Sequence, residues 1–368
     1  MKSKDTISIF QMILLFMTGI GLKNHVIAVP HLIKTAGRDA WISVVAMSIL
    51  SLIWGLLILY IYKTMKGQHI RKWLEKNIGK LFTNILIVIS GFYLLVMAAV
   101  TLKETIMWTN VSYLLSTPPL ILTILFILPC MLAALTRLQT ITITNFFFLL
   151  FVVIFGFFVS FTNMQFKDYS LLLPILENGP LPVVKAMIYQ GTGMAELVFL
   201  LVLQHKFRSE FRYRHFLISV FILTGLTLGP LIGAIAEFGP TEAAMQRYPA
   251  YEEWGLARLG KYVEHVDFFS IYQWLAGAFI RITLILYTLR VLINKKSKKI
   301  NLWIILSASV IVGTLVAFPI DERVFFNMLM HVLLPLTFWF FLGLSIFFGI
   351  IAFMNRRKKR GDNDVQET

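Results

Sequence analysis

The polar residues that could do chemistry in this chain lie inside apolar runs. Gly19-Ile20-Gly21-Leu22-Lys23-Asn24-His25 interrupts a hydrophobic stretch that starts near Ile7 and closes on Val29-Pro30. Glycine weakens a helix by about 1 kcal/mol against alanine. A charge at mid-bilayer depth costs roughly 2.5–3.5 kcal/mol even on insertion scales. Non-helical backbone survives at that depth only where it is buried in protein or lines a wet cavity. The stretch therefore predicts a discontinuous helix, the device with which secondary transporters build binding sites. A second interruption is Tyr189-Gln190-Gly191-Thr192-Gly193-Met194-Ala195-Glu196, where two glycines again precede an ionisable residue. Helical spacing puts Lys185, Tyr189, Thr192 and Glu196 on one stripe.

A third set is Ser270, Gln273, Gly277 and Arg281, a polar face on an otherwise apolar helix. Arg281 and Lys23 are rival partners for Glu196. A guanidinium would meet the carboxylate at two points, but spacing leaves the choice open. Signals for other chemistry are missing. Gly19-x-Gly21 follows no strand, and His25 and His31 lack a carboxylate or cysteine at ligand spacing, so neither a cofactor, a metal nor an enzyme activity is expected. The lone Cys130 excludes a disulfide framework.

The elements that must position these groups are membrane spans. Hydrophobic residues make up 58% of the chain and charged residues 14%, with a mean hydropathy of +0.76; soluble domains run near 45–50% and 25%. Ten candidate spans of sufficient length fall at roughly 8–34 (broken), 40–62, 81–103, 118–136, 140–162, 183–204, 215–236, 266–292, 302–319 and 332–354. This predicts an all-α membrane protein, with residues 1–354 as one transmembrane domain and 355–368 as a basic tail. The two interruptions open the two halves, about 8–162 and 183–354, of a five-plus-five inverted repeat. No cleavable signal follows Met1-Lys2-Ser3-Lys4-Asp5, so the first span is expected to stay as an anchor.

The net charge of +15 does not imply nucleic acid, because the basic residues sit in short clusters between spans. Lys63, Lys66, Arg71, Lys72, Lys76 and Lys80 form one cluster, and Lys206, Arg208, Arg212 and Arg214 another. Lys295, Lys296, Lys298 and Lys299 make a third, and Arg356 to Arg360 a fourth. With ten spans all four fall on one face, joined by Lys2 and Lys4. The opposite face holds Glu237, Glu242, Glu252, Glu253, Glu264 and Asp267. Both termini are thus predicted to be cytoplasmic. Glu252 to Lys261 is either a short interfacial helix or a solvated loop. Lys103-Glu104 is expected to snorkel, and Asp321-Glu322-Arg323 and His331 to lie in a solvated loop. Tyr60, Tyr62, Trp108, Tyr113 and Trp303 are assigned to the interface belt.

Six segments, in order, resemble those of the endospore germination permeases, the B subunits of nutrient germinant receptors within the amino acid–polyamine–organocation superfamily. They are Gly19-Ile20-Gly21 with Val29-Pro30, Ala36-Gly37-Arg38-Asp39-Ala40-Trp41, Leu173-Pro174-Ile175-Leu176-Glu177-Asn178-Gly179, Gly193-Met194-Ala195-Glu196, Trp274 through Arg281, and Phe318-Pro319-Ile320-Asp321. Family members commonly show Leu-Pro and Gly-Glu where this chain has Val29-Pro30 and Ala195-Glu196. Lys23-Asn24-His25 stands where small or apolar residues are usual. The resemblance implies residence in the bilayer of the spore inner membrane, beside A-type and C-type receptor subunits, and a small-nutrient site between the first and sixth helices.

The ligand is then expected at Gly19, Gly21 and Lys23 of the first interruption. Tyr189, Thr192, Gly193 and Glu196 of the second, with Trp274 and Arg281, complete the site. Freed backbone N–H groups and a half-helix dipole would hold a carboxylate or hydroxyl. The reading is a nutrient-sensing subunit with a transporter's architecture. The alternatives are a proton-coupled or facilitative amino acid transporter, with Glu196 as the proton carrier, and a structural subunit that binds nothing.

Overall fold

Ser8 starts the first helix with a reciprocal cap. Its Oγ accepts from the Gln11 N–H at 3.1 Å, and Gln11 Oε1 accepts from the Ser8 N–H at 2.9 Å, so two otherwise orphaned amides are satisfied. The computed structural model describes residues 5–258, 266–295 and 297–366. From Ser8 it runs through α1 (Ile9–Leu22), a π-helical turn (Lys23–Ala28) and α2 (Val29–Ala36). Gly37, at φ +55°, stops α2 in a conformation that a side chain would strain. A 3₁₀ turn then leads into α3 (Ala40–Met65).

α4 (Ile70–Ser112) is 43 residues long and kinks at Gly79, where φ is +78°. α5 (Pro119–Ala134) and α6 (Leu138–Thr162) follow, then α7 (Pro180–Ala195), a 3₁₀ turn at Glu196–Val198, and α8 (Phe199–Leu203). The second half continues with α9 (Tyr213–Phe238) and the short α10 (Pro240–Met245) and α11 (Pro249–Leu256). It ends with α12 (Phe268–Ile293), α13 (Lys298–Ala317), α14 (Glu322–Met328), a second π turn at Leu329–Leu333, and α15 (Leu334–Gln366). Proline opens α5, α7, α10 and α11, where the missing N–H removes a donor that would have no partner.

Among the described residues, eight helical stretches are long and apolar enough to cross a membrane. The protein is an all-α, multi-pass membrane protein. The difference from the ten expected spans has two sources. Ile9–Met65 is one 57-residue stretch that carries the first two expected spans on either side of Gly37, and Pro119–Ala134 is a shorter apolar helix. The expected discontinuities take the form of changes in helix type rather than unwound backbone. In the first span the change begins at Lys23, after both glycines, and in the sixth it begins at Glu196. The last span also runs on as helix to Gln366, past the expected end at 354. Lys2, Lys4, Lys261, Glu264 and Lys296 lie outside the described residues.

Burial separates centre from periphery. In the apolar centre of Pro180–Lys206, 89% of residues are buried, and in that of Phe268–Ile293, 83%. The figures for Leu138–Phe166 and Lys298–Ala317 are 22% and 28%, so these helices face lipid. The segment before α1 is tied to the end of the sixth span. The Ile7 N–H donates to the Lys206 carbonyl at 2.9 Å, the Arg208 N–H donates to the Ile7 carbonyl at 3.0 Å, and Lys206 Nζ pairs with Asp5 at 2.7 Å.

Candidate functional site

Glu196 is fully buried where α7 tightens into its 3₁₀ turn, and it meets both rival cations. Lys23 Nζ lies 2.7 Å from Oε1; Arg281 Nη2 donates to the same oxygen at 2.8 Å, and Arg281 Nη1 donates to Oε2 at 2.7 Å. Arg281 also donates from Nη1 to the Gly19 carbonyl at 2.7 Å and from Nε to Thr101 Oγ1 at 3.0 Å. One carboxylate therefore joins the π turn, the sixth span and α12, and Arg281 ties in α1 through Gly19 and α4 through Thr101. Two cations face one anion, so the cluster carries an excess positive charge in the centre of the bundle.

The glycines serve close approach. A Cβ on Gly193 would lie 1.7 Å from Asn24 Oδ1, so Gly193 is the seat of the Asn24 side chain from the π turn. A Cβ on Gly191 would lie 2.6 Å from the Phe338 ring. Thr192 Oγ1 donates back to the Tyr189 carbonyl at 2.7 Å, and the Tyr189 hydroxyl donates to the Met330 carbonyl at 3.3 Å. Lys185, expected on the same stripe, is exposed.

A chamber of ≈ 470 Å³ lies against the first helix at this level. Gly21, Leu22, His25 and Val26 face it from α1 and the π turn, and Gln273, Trp274 and Gly277 from α12. Gly225 and Gly229 of α9 form another wall, and Tyr251, Glu253 and Trp254 belong to α11. Of the expected site residues, Gly21 and Trp274 line this chamber. Lys23 and Arg281 line a separate cavity of ≈ 20 Å³ with Tyr93, Thr101 and Thr337, and Gly19, Tyr189, Thr192, Gly193 and Glu196 line neither.

Trp274 is held by its neighbours. It stacks on Trp108 with ring centroids 4.2 Å apart and planes 8° apart, and its Nε1–H donates to Thr105 Oγ1 at 3.3 Å. Trp108 is fully buried, which corrects its assignment to the interface belt. Its ring was misplaced because belts and cores draw on the same amphipathic aromatics.

Glu104 needs a similar correction. It is buried and paired with Arg247 at 2.5 Å, and Arg247 also reaches Glu322 at 3.5 Å and lies over the rings of Tyr248 and Phe326. Lys103 is half-buried, and its Nζ donates to the Val316 and Phe318 carbonyls at 2.9 and 3.0 Å, at the end of α13. Asp321 caps α14 by accepting from the Arg323 and Val324 N–H groups. Glu253 was visible in the sequence only as one of several acids in a loop. Among the described residues, no group of three or more His, Cys, Asp or Glu is arranged to hold a metal.

Residues 5–323 match the family model described as spore germination protein. This chain belongs to the spore germination permease family. It is similar to spore germination protein XB of Bacillus anthracis, with 38% identity over 354 residues that cover 96% of this chain and 99% of that one. As a spore germination permease it has a germination-related, permease-like role and falls in a permease-like class rather than an enzyme family. Two of the segments that carried the resemblance touch in this permease. Asp39 Oδ1 accepts from the Leu176 N–H at 2.9 Å, and Arg38 pairs with Glu177 at 3.1 Å and donates to the Leu173 carbonyl.

Proposed function

We propose that this germination permease is the nutrient-sensing subunit of a germinant receptor, and that its ligand, an amino acid or similar small molecule, occupies the ≈ 470 Å³ chamber. One observation carries the reading. The same π turn presents His25 and Val26 to the chamber and sends Lys23 and Asn24 to the sixth span. A ligand that favours one arrangement of this turn biases how α1 and the sixth span are joined. Its effect is bounded by its difference in affinity for the two arrangements. In this reading the expected site divides in two: Gly21 and Trp274 touch the ligand, while Gly19, Lys23, Gly193, Glu196 and Arg281 transmit its presence. Tyr189 and Thr192 brace α7. The five-plus-five repeat, the spore inner membrane, cytoplasmic termini, and A-type and C-type partner subunits belong to the same proposal.

The test fills the chamber without touching the charged cluster. A Cβ at Gly225 or Gly229 meets nothing within 4 Å, so Gly225→Phe and Gly229→Phe have room to grow into the chamber. Both variants should accumulate in the membrane and lose the nutrient response. An unaltered response would remove the chamber from consideration. Concentrative uptake of labelled amino acids by proteoliposomes carrying this chain alone would replace sensing with transport.

A further inference from the structure

We propose that Glu253 is a recognition residue for a cationic nitrogen: a ligand in the chamber places a protonated amine against this carboxylate. The inference rests on the chamber being the ligand site and names the chemical class that the site accepts.

Glu253 lines the chamber from α11 and is 6% exposed, and its Oε1 has no hydrogen-bond partner among the described residues. The carboxylate sits in the notch left by a missing side chain, since a Cβ on Gly233 would lie 2.5 Å from Oε2. A buried carboxylate oxygen without a donor is costly, and the Gln273 side chain that also lines the chamber is already engaged. Gln273 Oε1 accepts from Trp254 Nε1 at 3.1 Å, and its Nε2 donates to the Val152 carbonyl at 2.8 Å. On the opposite wall, His25 Nδ1 is taken up by the Leu226 carbonyl at 3.0 Å.

Charge points the same way. The charged neighbours of Glu253 are Glu237 of α9 and Lys167, from the connection before α7. Lys167 Nζ lies 3.5 Å from Glu237 Oε1, and Glu237 Oε2 accepts from Asn163 Nδ2 at 2.9 Å. Lys167, which also lines the chamber, is the one ammonium facing these two carboxyls, so with both ionised the local sum is one negative charge. Trp254, Trp274 and Tyr251 supply the π surfaces that favour a cation over a neutral guest. Burial, and then the Glu237 carboxylate, raise the Glu253 carboxyl well above the usual range, with Lys167 opposing. A bound ammonium favours the ionised form, so its entry releases a proton.

The test uses the full chain in lipid nanodiscs and follows tryptophan fluorescence, because Trp254 and Trp274 both line the chamber. The probes are n-butylammonium chloride, 1-butanol and sodium chloride. Butylammonium should bind at least about tenfold more tightly than butanol, the size of one charge-assisted hydrogen bond. Its affinity should rise as the pH is raised and the carboxyl ionises. Glu253→Gln should bring butylammonium down to the affinity of butanol and abolish the pH dependence. Should that variant fail to fold, the charge preference and pH dependence of the unaltered protein decide alone. Equal affinities for the two organic probes, a charge preference retained in Glu253→Gln, or equally potent binding of sodium would each overturn the assignment. If Gly225→Phe abolishes the nutrient response while no ammonium preference exists, the chamber stands and the role of Glu253 falls.

Discussion

Arg281 and Glu196, 85 residues apart, meet in a two-point contact of 2.7 and 2.8 Å, with Lys23 as a second cation on the shared oxygen. The members of this cluster are not equivalent. Removing either cation leaves a balanced pair, whereas removing the carboxylate leaves two buried cations side by side. Breaking a buried pair typically costs about 3–5 kcal/mol. Glu196→Gln should reach that range, and Lys23→Met and Arg281→Met should each fall below it. Thermal denaturation in detergent, read by light scattering, ranks the three. Equal losses would contradict the charge argument.

Gly193 and Asn24 form a packing pair across the first and sixth spans. Gly193→Ala places a carbon inside the Asn24 side chain and should cost about 1–3 kcal/mol, the usual range for overpacking. Asn24 is buried and its side chain makes no hydrogen bond among the described residues. Shortening it should therefore make room, so Asn24→Ala with Gly193→Ala should melt above Gly193→Ala alone. A double variant no more stable than the single would show that the strain lies elsewhere.

The Trp108–Trp274 stack fixes one wall of the chamber. Aromatic pairs contribute about 0.5–1.5 kcal/mol beyond the area they bury. Trp108→Phe should shift the nutrient response to higher concentration by up to about tenfold, the equivalent of 1.4 kcal/mol, with membrane levels preserved. Trp303→Phe is the control, because Trp303 is exposed. A dose–response curve that moves equally in both variants would detach the stack from sensing.

The strap before α1 gives a pH signature. Burial pushes the Asp5 carboxyl up, but Lys206 and the Tyr287 hydroxyl outweigh it and hold it net below its ordinary value of 3.8. A depressed carboxyl contributes stability that is complete above 3.8 and disappears as pH falls through the folded-state value. Asp5→Asn should therefore melt below the unaltered protein at neutral pH, and the two should converge under acid. Parallel curves at all pH values would refute the linkage.

How much was legible depended on the reach of each interaction. The polar stripe on α12 and the acid after Gly193 pointed to Glu196, Arg281 and Lys23, because an ionisable group in an apolar run must find a partner. Choosing between the cations required geometry, and the geometry uses both, since Oε1 accepts from Lys23 and Arg281 alike. The glycines were legible as interruptions but not as a seat for Asn24, a contact between residues 169 apart. Glu104 and Trp108 were misplaced because their partners, Arg247 and Trp274, lie far along the chain, and distance from a span's centre was the only guide. Glu253 had no local signal at all; its burial arises when α11 folds back over Gly233.

The π turn at Lys23–Ala28 has one last consequence. A wide turn holds one residue more than an α-helical turn over the same length, which makes it a stored length of helix. One α-helical residue corresponds to about 100° of rotation and about 1.5 Å of rise. Rewinding this turn would screw α2 around its axis by that amount while α1 stayed clamped at Ile7 and Gly19. The first span is thus built like a thread with one residue's advance in reserve, held at the turn whose His25 and Val26 line the chamber.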